Sequence, residues 1–366
     1  MKVLLVGYGY YVLGNKDVEG GTVLPSLFGW AMNNSDQELV ISILVKNDKS
    51  KVRAESRLND YLRNNIYISH INNVVLDMVT YSEVSVDSAY DAGIIAVPEI
   101  GHVDVFDFVS KYTDHIMIVK PVGIDCSDVD VITELADTRK IDLYVDFHKR
   151  FDESNILLIN TVSADSAKKM TFKFSYGQKS EMPLKYFRAW SESSNPYQYL
   201  APHYIDIIGC VLRRRISLFP EIDISGSISA DYFETNQKIA SLVAANLVIN
   251  VGEFSVRIIS DCNWMEPSCS PFNSRQRIEY LSENYHYISE QDNRGQMNFT
   301  NSNMQIPNPH YMVYDDIYGA DGYGKRIYEN FLNAKLNRFN KDRLPNIYQY
   351  RFVSKIIDYV NKGVSQ

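Results

Sequence analysis

The sequence predicts an α/β chain in two parts: an N-terminal doubly wound parallel sheet, then an α+β region built on a large, mostly antiparallel, open-faced sheet. Three observations carry this. Up to about Phe147, short runs rich in Val, Ile and Leu alternate with helix-patterned stretches, as a parallel sheet covered on both faces requires. From about Met170 the pattern changes to alternating strands joined by polar hairpins, with few helices between them. At 366 residues the chain is also too long for one average core, so two domains are expected, 1–123 and 124–366.

The first strand, Lys2 to Val6, breaks into Gly7-Tyr8-Gly9, a turn that lets backbone approach a pyrophosphate and meet its charge with amide groups. That is a dinucleotide-binding opening, although Gly-x-Gly after a strand is also a common plain turn. Val12 stands where a third glycine is usual, and a polar insert, Asn15 to Gly21, delays the next helix. Thr22 is its expected N-cap, with Pro25 in the first turn and Leu24, Leu27, Phe28, Ala31 and Met32 as the inward stripe. Gly20 and Gly21 are therefore candidates to share the phosphate contact.

Leu39 to Val45 is the second strand and ends in Lys46-Asn47-Asp48-Lys49, the position that faces the adenosine ribose in such units. Lys46, Lys49, Lys51 and Arg53 favour the 2′-phosphate of NADP, Asp48 keeps NAD open, and a solvated charged loop is the plain alternative. A helix follows from about Lys51 to Asn64. Strands are then expected near Val74 to Val79, Gly93 to Pro98, His115 to Val119 and Asp142 to Phe147, with helices His102 to Tyr112 and Asp125 to Thr138 between them. Ligands of such sheets lie at the carboxyl ends of the strands, where Pro98 and Lys120 both fall.

In the second part, strands are expected at Met170 to Tyr176, Ala244 to Val251, Glu253 to Asp261, Arg277 to Ser282 and Tyr285 to Ser289. Helices are expected at Pro202 to Arg213, Gly322 to Arg338 and Tyr348 to Asn361, the last a candidate to pack back on the first domain.

Composition narrows the function classes. With 45% hydrophobic and 22% charged residues the chain reads as an ordinary globular protein, and its net charge of −8 argues against a nucleic-acid partner. No apolar run approaches the ~20 residues that span a bilayer, and the N-terminal run is unlike a signal peptide, so no membrane partner and a cytoplasmic location are expected. Cys126, Cys210, Cys262 and Cys269 lie far apart without metal-ligand spacing, and no metal is expected.

Several stretches together resemble the Gfo/Idh/MocA family, the glucose-fructose oxidoreductase and inositol dehydrogenase relatives. Gly7-Tyr8-Gly9 matches its cofactor turn, and Ala96-Val97-Pro98-Glu99-Ile100-Gly101-His102 looks like its strand-Pro-x-x-x-His segment. Ile118-Val119-Lys120-Pro121 is similar to its Glu-Lys-Pro motif, Lys149-Arg150-Phe151-Asp152 to its Arg-Phe-Asp segment, and His203-Tyr204-Ile205-Asp206 to its His-x-x-Asp segment. The five run in order over almost the whole chain. Two positions depart: Val119 replaces the glutamate before the motif lysine, and Tyr199 replaces the aspartate four residues before the motif histidine.

The resemblance implies an NAD(P)-dependent oxidoreductase that moves a hydride to or from a hydroxyl or keto carbon of a sugar, sugar nucleotide or cyclitol. Lys120 is the first candidate for the acid/base, because partial burial at a sheet edge can bring a lysine pKa toward operating pH. His203 is the second, and Tyr199 offers a phenol where the aspartate would stand. The resemblance also implies a cis peptide before Pro121. Gly7, Gly9, Tyr10, Lys46, Asn47, Pro98, Glu99 and His102 are the cofactor-side candidates, with Lys120. Arg150, Trp190, Tyr199 and Asp206 are the substrate-side ones, Asp206 following His203 at a spacing that could orient its imidazole. Ordinary packing, surface or interdomain roles remain open for each of these four.

A homodimer or homotetramer through the C-terminal sheet is expected, on the argument that helices cover one face and leave an apolar one exposed. Two other classes stay open: a non-catalytic dinucleotide-binding regulator, and an NAD-dependent hydrolase or lyase that returns its cofactor unchanged.

Overall fold

The computed structural model describes the chain except residues 16–18, 66–67, 69–70, 86–87, 189, 217–220, 273, 291–297, 300–303, 306–309, 316–318 and 366. Residues 16–18 of the expected polar insert thus lie outside the described residues. The chain forms two compact units, one from Met1–Phe151 with His310–Tyr348, the other from Asp152–Pro309 with Gln349–Gln366.

The first unit begins with β1 (Lys2–Val6), a one-turn helix α1 (Tyr10–Leu13), the short strands β2 (Gly14–Asn15) and β3 (Glu19–Gly20), and α2 (Val23–Asn33). Then come β4 (Leu39–Val45), α3 (Asp48–Asn64), β5 (Val74–Thr80), β6 (Ala92–Ile95), α4 (His102–Val109), β7 (His115–Val119), α5 (Cys126–Arg139) and β8 (Asp142–Asp146). The main strands form one six-stranded sheet in the order β5-β4-β1-β6-β7-β8, every pair parallel. Strand order reverses between β1 and β6, so the crevice expected for a ligand opens at the end of β1, where the glycine turn lies. Because β8 is the sixth strand of this sheet, the first unit extends past 123 to Phe151.

Local signals explain several boundaries. Thr22 stands at the N-cap position of α2 as expected, but its hydroxyl pairs with the Tyr311 hydroxyl instead of capping the helix. Asp125 caps α5 by accepting from the Ser127 amide at 2.8 Å and the Asp128 amide at 3.2 Å. Leu24, Leu27, Phe28 and Ala31 of α2 pack with Val3, Leu5, Ile41 and Ile43 in one buried cluster.

The second unit contains α6 (Glu153–Ser163), β9 (Lys169–Lys179), the single-turn α7 (Pro196–Leu200), α8 (Pro202–Arg213), β10 (Asp223–Phe233), β11 (Asn236–Val251), β12 (Phe254–Glu266), β13 (Ser274–Leu281) and β14 (His286–Glu290). Its sheet runs β10-β11-β12-β9-β13-β14, antiparallel except for β12 beside β9. The sequence reading has no counterpart of β10. Its exposed Asp223, Ser225, Ser227, Ser229 and Asp231 read as a loop and serve an edge strand.

Met170, Phe172, Phe174, Val256, Ile258 and Trp264 form the buried face of this sheet. The opposite face is mixed, with Ile259 and Met265 exposed among charged and polar side chains. Lys173 lies 3.2 Å from Glu279, Ser175 donates to Asp261 at 2.8 Å, and Arg257 donates to Asn246 at 3.0 Å. A shallow depression of about 520 Å³ on this face is lined by Lys173, Ser175, Asn246, Asp261, Arg277 and Ile259 among others.

The chain closes with α9 (Tyr323–Lys335) and α10 (Ile347–Val364). Ile327, Tyr328, Phe331 and Leu332 of α9 join the same buried cluster as α2. From Gln349 on, α10 belongs to the second unit, where Asn361 accepts from Asn195 at 2.8 Å and donates to Gln198 at 3.1 Å. Among the described residues no helix is long and apolar enough to cross a membrane.

Candidate cofactor and acid–base site

The two glycines of the opening turn do different things. Gly7 has φ +111°, and a Cβ there would sit 2.3 Å from the Ala96 carbonyl oxygen, so this glycine lets the turn pass the end of β6. The tight turn expected at this glycine is therefore required by its own backbone. At Gly9 a Cβ would meet no atom within 4 Å, and its backbone is extended (φ −71°, ψ −170°) at the start of α1. Gly9 and the Tyr10 turn are thus the part of the motif that could cradle a phosphate. Gly21 is packed like Gly7, 2.3 Å from the Val12 carbonyl in the same test, so a glycine is needed there for the chain to return past α1.

At the end of β4, Lys46 is exposed and Asn47 caps α3, accepting from the Ser50 amide at 3.0 Å. Lys51, one of the four basic residues that favoured a 2′-phosphate, is paired with Glu83 at 3.0 Å. Its charge is already answered by protein. Arg57 stands nearby instead, donating to the Gly14 carbonyl at 2.9 Å with its guanidinium 6.0 Å from the Tyr8 ring centre.

Beyond β6, Pro98 precedes a short turn over Glu99–Gly101, and Glu99 is buried. His102 is fully buried between two carbonyls, Nε2 at 2.8 Å from that of Val97 and Nδ1 at 3.0 Å from that of Val122. Burial lowers its pKa to about 4 although both carbonyls favour the imidazolium. His102 therefore braces the turn after β6 against the turn after β7, which corrects its assignment as a direct cofactor contact. Between those braced turns stands Lys120, half-buried, with a cis peptide to Pro121.

Next to Lys120, at the end of β8, lies a polar cluster that the sequence reading missed. Val119 and Asp146 are register partners in β7 and β8. Asp146 is buried, and its Oδ2 accepts from the hydroxyls of Tyr11 and Tyr328, the latter at 2.8 Å. Its Oδ1 lies 3.1 Å from His148 Nδ1. Burial alone would raise the carboxyl, but His148 beside it and the two hydroxyls hold it below the usual carboxylate range. Tyr11, two residues past Gly9, therefore connects the glycine turn to the end of β8. A signal was present: Asp146 and His148 close the otherwise apolar run Leu143-Tyr144-Val145, and a carboxylate inside a buried strand needs a reason. Arg150 has its guanidinium 5.7 Å from the Phe147 ring centre.

In the second unit, α7 and α8 carry the remaining candidates. Tyr199 and Trp190 come together in one aromatic cluster, ring centres 5.4 Å apart, with Phe187 4.8 Å from Trp190 and Trp264 6.2 Å from Tyr199. His203 is buried in the first turn of α8. Asp206 is buried in the same helix, 3.6 Å from Arg213.

No family model matches the sequence, and no curated protein matches it. Solved structures match over the whole chain. A myo-inositol dehydrogenase from Corynebacterium glutamicum is 14% identical, covering 100% of this chain and 96% of its own, with TM-score 0.61. The scyllo-inositol dehydrogenase from Lactobacillus casei, with bound NAD(H) and scyllo-inositol, is 13% identical with coverage of 100% and 96% and TM-score 0.64. The WlbA dehydrogenase from Bordetella pertussis, in complex with NADH and UDP-GlcNAcA, is 13% identical with coverage of 100% and 95% and TM-score 0.66. Over its full length the chain thus has the two-part fold of Gfo/Idh/MocA proteins such as these dehydrogenases.

Proposed function

We propose that the chain is an NAD(H)-dependent oxidoreductase acting on a hydroxyl or keto carbon of a sugar, sugar nucleotide or cyclitol. The observation that carries this reading is Lys120 at the end of β7, beside the Asp146–His148 pair, on the sheet whose glycine turn leaves Gly9 open. Proteins of the same fold hold NAD(H) or NADH, and the pairing of Lys51 with Glu83 removes part of the case for NADP. The bound cofactor supplies a hydride acceptor or donor. Gly9 and the following turn receive its pyrophosphate, and Lys120 takes the hydroxyl proton or returns it to the carbonyl oxygen. His203 and Tyr199 contribute the substrate-side imidazole and phenol, with Trp190 as an apolar wall for a ring.

We further assign the cytoplasm as its compartment and, as its assembly, a homo-oligomer through the open face of the second sheet, where Ile259 and Met265 are exposed. The test follows reduced-nicotinamide absorbance with NAD⁺ or NADP⁺ and a panel of myo-inositol, scyllo-inositol and UDP-GlcNAcA. Turnover with NAD⁺ is expected. NADH binding without turnover of any polyol or sugar nucleotide would favour the non-catalytic regulator, toward which Val119 in place of a glutamate already points.

A further inference from the structure

In a dinucleotide-binding turn of the usual kind the glycines run straight into a long helix, which holds them rigid. Here α1 has only four residues, closed by the Val12 and Leu13 amides donating to the Gly9 carbonyl at 3.2 and 3.0 Å. A helix that short is not stable on its own, so where Gly9 stands depends on what grips its neighbours. Val12 and Leu13 are buried in the core cluster, and the Thr22 amide donates to the Tyr11 carbonyl at 2.7 Å. The Tyr11 side chain reaches elsewhere, and its hydroxyl donates to Asp146 Oδ2.

In the sheet, β1 and β8 are separated by β6 and β7, which makes three strand spacings or roughly 14 Å. The tie therefore joins the glycine turn to the far edge of the sheet, across a span occupied by the ends of β6 and β7. Asp146 is also held without Tyr11. Its Oδ2 accepts from the Tyr328 hydroxyl at 2.8 Å, and its Oδ1 accepts from the His148 amide at 3.2 Å and lies 3.1 Å from His148 Nδ1. His148 and the two hydroxyls keep its carboxyl below the usual range, so at neutral pH it is ionised, and an ionised acceptor makes the stronger hydrogen bond. Burying a charge costs desolvation, and an apolar residue would close the strand without that cost. Only an acceptor, however, can fix the direction of the Tyr11 hydroxyl as well as its distance.

We propose that Asp146 is a positioning residue for the cofactor: through the Tyr11 hydroxyl it fixes the Gly9 turn, and with it the pyrophosphate, relative to the far edge of the sheet. The inference rests on the oxidoreductase reading above. What the tie serves is the pyrophosphate, not the base. Tyr328 supplies an internal comparison, because its hydroxyl donates to the same carboxylate oxygen but comes from α9. The two hydroxyls also interact with each other, yet only Tyr11 stands on the turn. Both tyrosines thus support the carboxylate, and they differ in what they hold.

The test titrates the full-length wild type, Tyr11→Phe and Tyr328→Phe with NADH, ADP-ribose and adenosine, beside a thermal melt of each. Tyr11→Phe should weaken NADH and ADP-ribose by about tenfold and leave adenosine, which has no pyrophosphate, within about twofold. Tyr328→Phe should lower the melting temperature at least as much as Tyr11→Phe does, yet leave all three ligands within about twofold. Wild-type affinity for NADH in Tyr11→Phe overturns the proposal. So does equal weakening of NADH in the two variants, since the turn would then feel only the loss of a buried donor. If Tyr11→Phe does not fold, Asp146→Asn reads the same tie from its other end: it keeps the shape of the side chain, removes the charge, and should show the same split between ADP-ribose and adenosine. No split there also overturns the proposal. A wild type that binds neither NADH nor ADP-ribose sinks the oxidoreductase reading and this inference with it, whereas one that binds both while Tyr11→Phe loses nothing sinks this inference alone.

Discussion

Asp146 in the first unit and Asp165 in the second are both buried carboxylates, and their surroundings separate a chemical site from a structural anchor. Asp165 accepts from the Tyr280 and Ser282 hydroxyls, from Asn284 Nδ2 at 2.7 Å and from the Ala167 amide at 2.9 Å, with Arg215 4.0 Å away. Burial would raise its carboxyl, and those donors hold it well below the usual range. Asp146 also accepts from two tyrosine hydroxyls, but it shares its other oxygen with an imidazole that can change its proton count. The first network ties α6, β9 and β13 together at one charge state, whereas the second can take up a proton without losing its donors.

The largest effect should come from the anchor. Asp165→Ala leaves four donors facing one another in a buried site, and it should cost roughly 3 kcal/mol or more, measured as a lowered urea midpoint. An unchanged midpoint would mean that the cluster is replaceable and that the contrast with Asp146 has been drawn too sharply.

Acid should next divide the two units. The folded pKa of His102 is lowered to about 4, so between there and an unfolded value near ~6.5 the unfolded chain holds a proton that the folded one lacks. Stability from this site is therefore complete above ~6.5 and falls by roughly 3 kcal/mol as pH drops toward 4. Asp165 has the same sign in a lower window: its contribution is complete above the ordinary carboxylate pKa and is lost only as pH falls below it. Native-state hydrogen exchange from pH 6.5 to 4.5, read at the amides of α4 and at Ala167, should show α4 loosening first, and His102→Gln should flatten the trend. Equal loosening at both places in the wild type would count against this account.

Lys120→Ala follows. It should lower kcat by roughly 10²-fold with cofactor affinity within a few-fold, and Tyr199→Phe should cost less, since it removes only a hydroxyl. If Lys120→Ala keeps full activity, the end of β7 is no more chemical than the Asp165 cluster.

The parallel sheet was legible because its strands are short apolar runs between capped helices, and Asp125 and Thr22 stand at the caps their sequence advertises. The second sheet was legible wherever apolar and polar residues alternate, as in β9 and β12, and not at the serine-rich edge strand β10. At the candidate site, Lys120 and Gly9 were proposed from local motifs. Tyr11 and Tyr328 were not, because they lie 135 and 182 residues from the Asp146 they meet, and no spacing rule reaches that far. His148, two residues from Asp146, carried a local signal that went unread. His102 shows the reverse error: its motif position suggested the cofactor, whereas burial between two carbonyls makes it a brace.

The smallest effect isolates the cofactor turn from the fold. Gly7 and Gly9 look equivalent in the sequence, yet a side chain at Gly7 would need φ +111° and would run into Ala96, so Gly7→Ala should destabilise the first unit. Gly9 has a backbone that any residue can adopt and open space where its Cβ would be, so Gly9→Val should leave the melting temperature almost unchanged. If that space receives the pyrophosphate, the valine methyl groups occupy it, and NADH should bind about tenfold more weakly, ~1.4 kcal/mol. Fluorescence titration with NADH beside a thermal melt reads both quantities on one sample. Unchanged affinity with an unchanged melt would move the phosphate away from Gly9 and leave Lys120 without the cofactor that the proposed reaction requires.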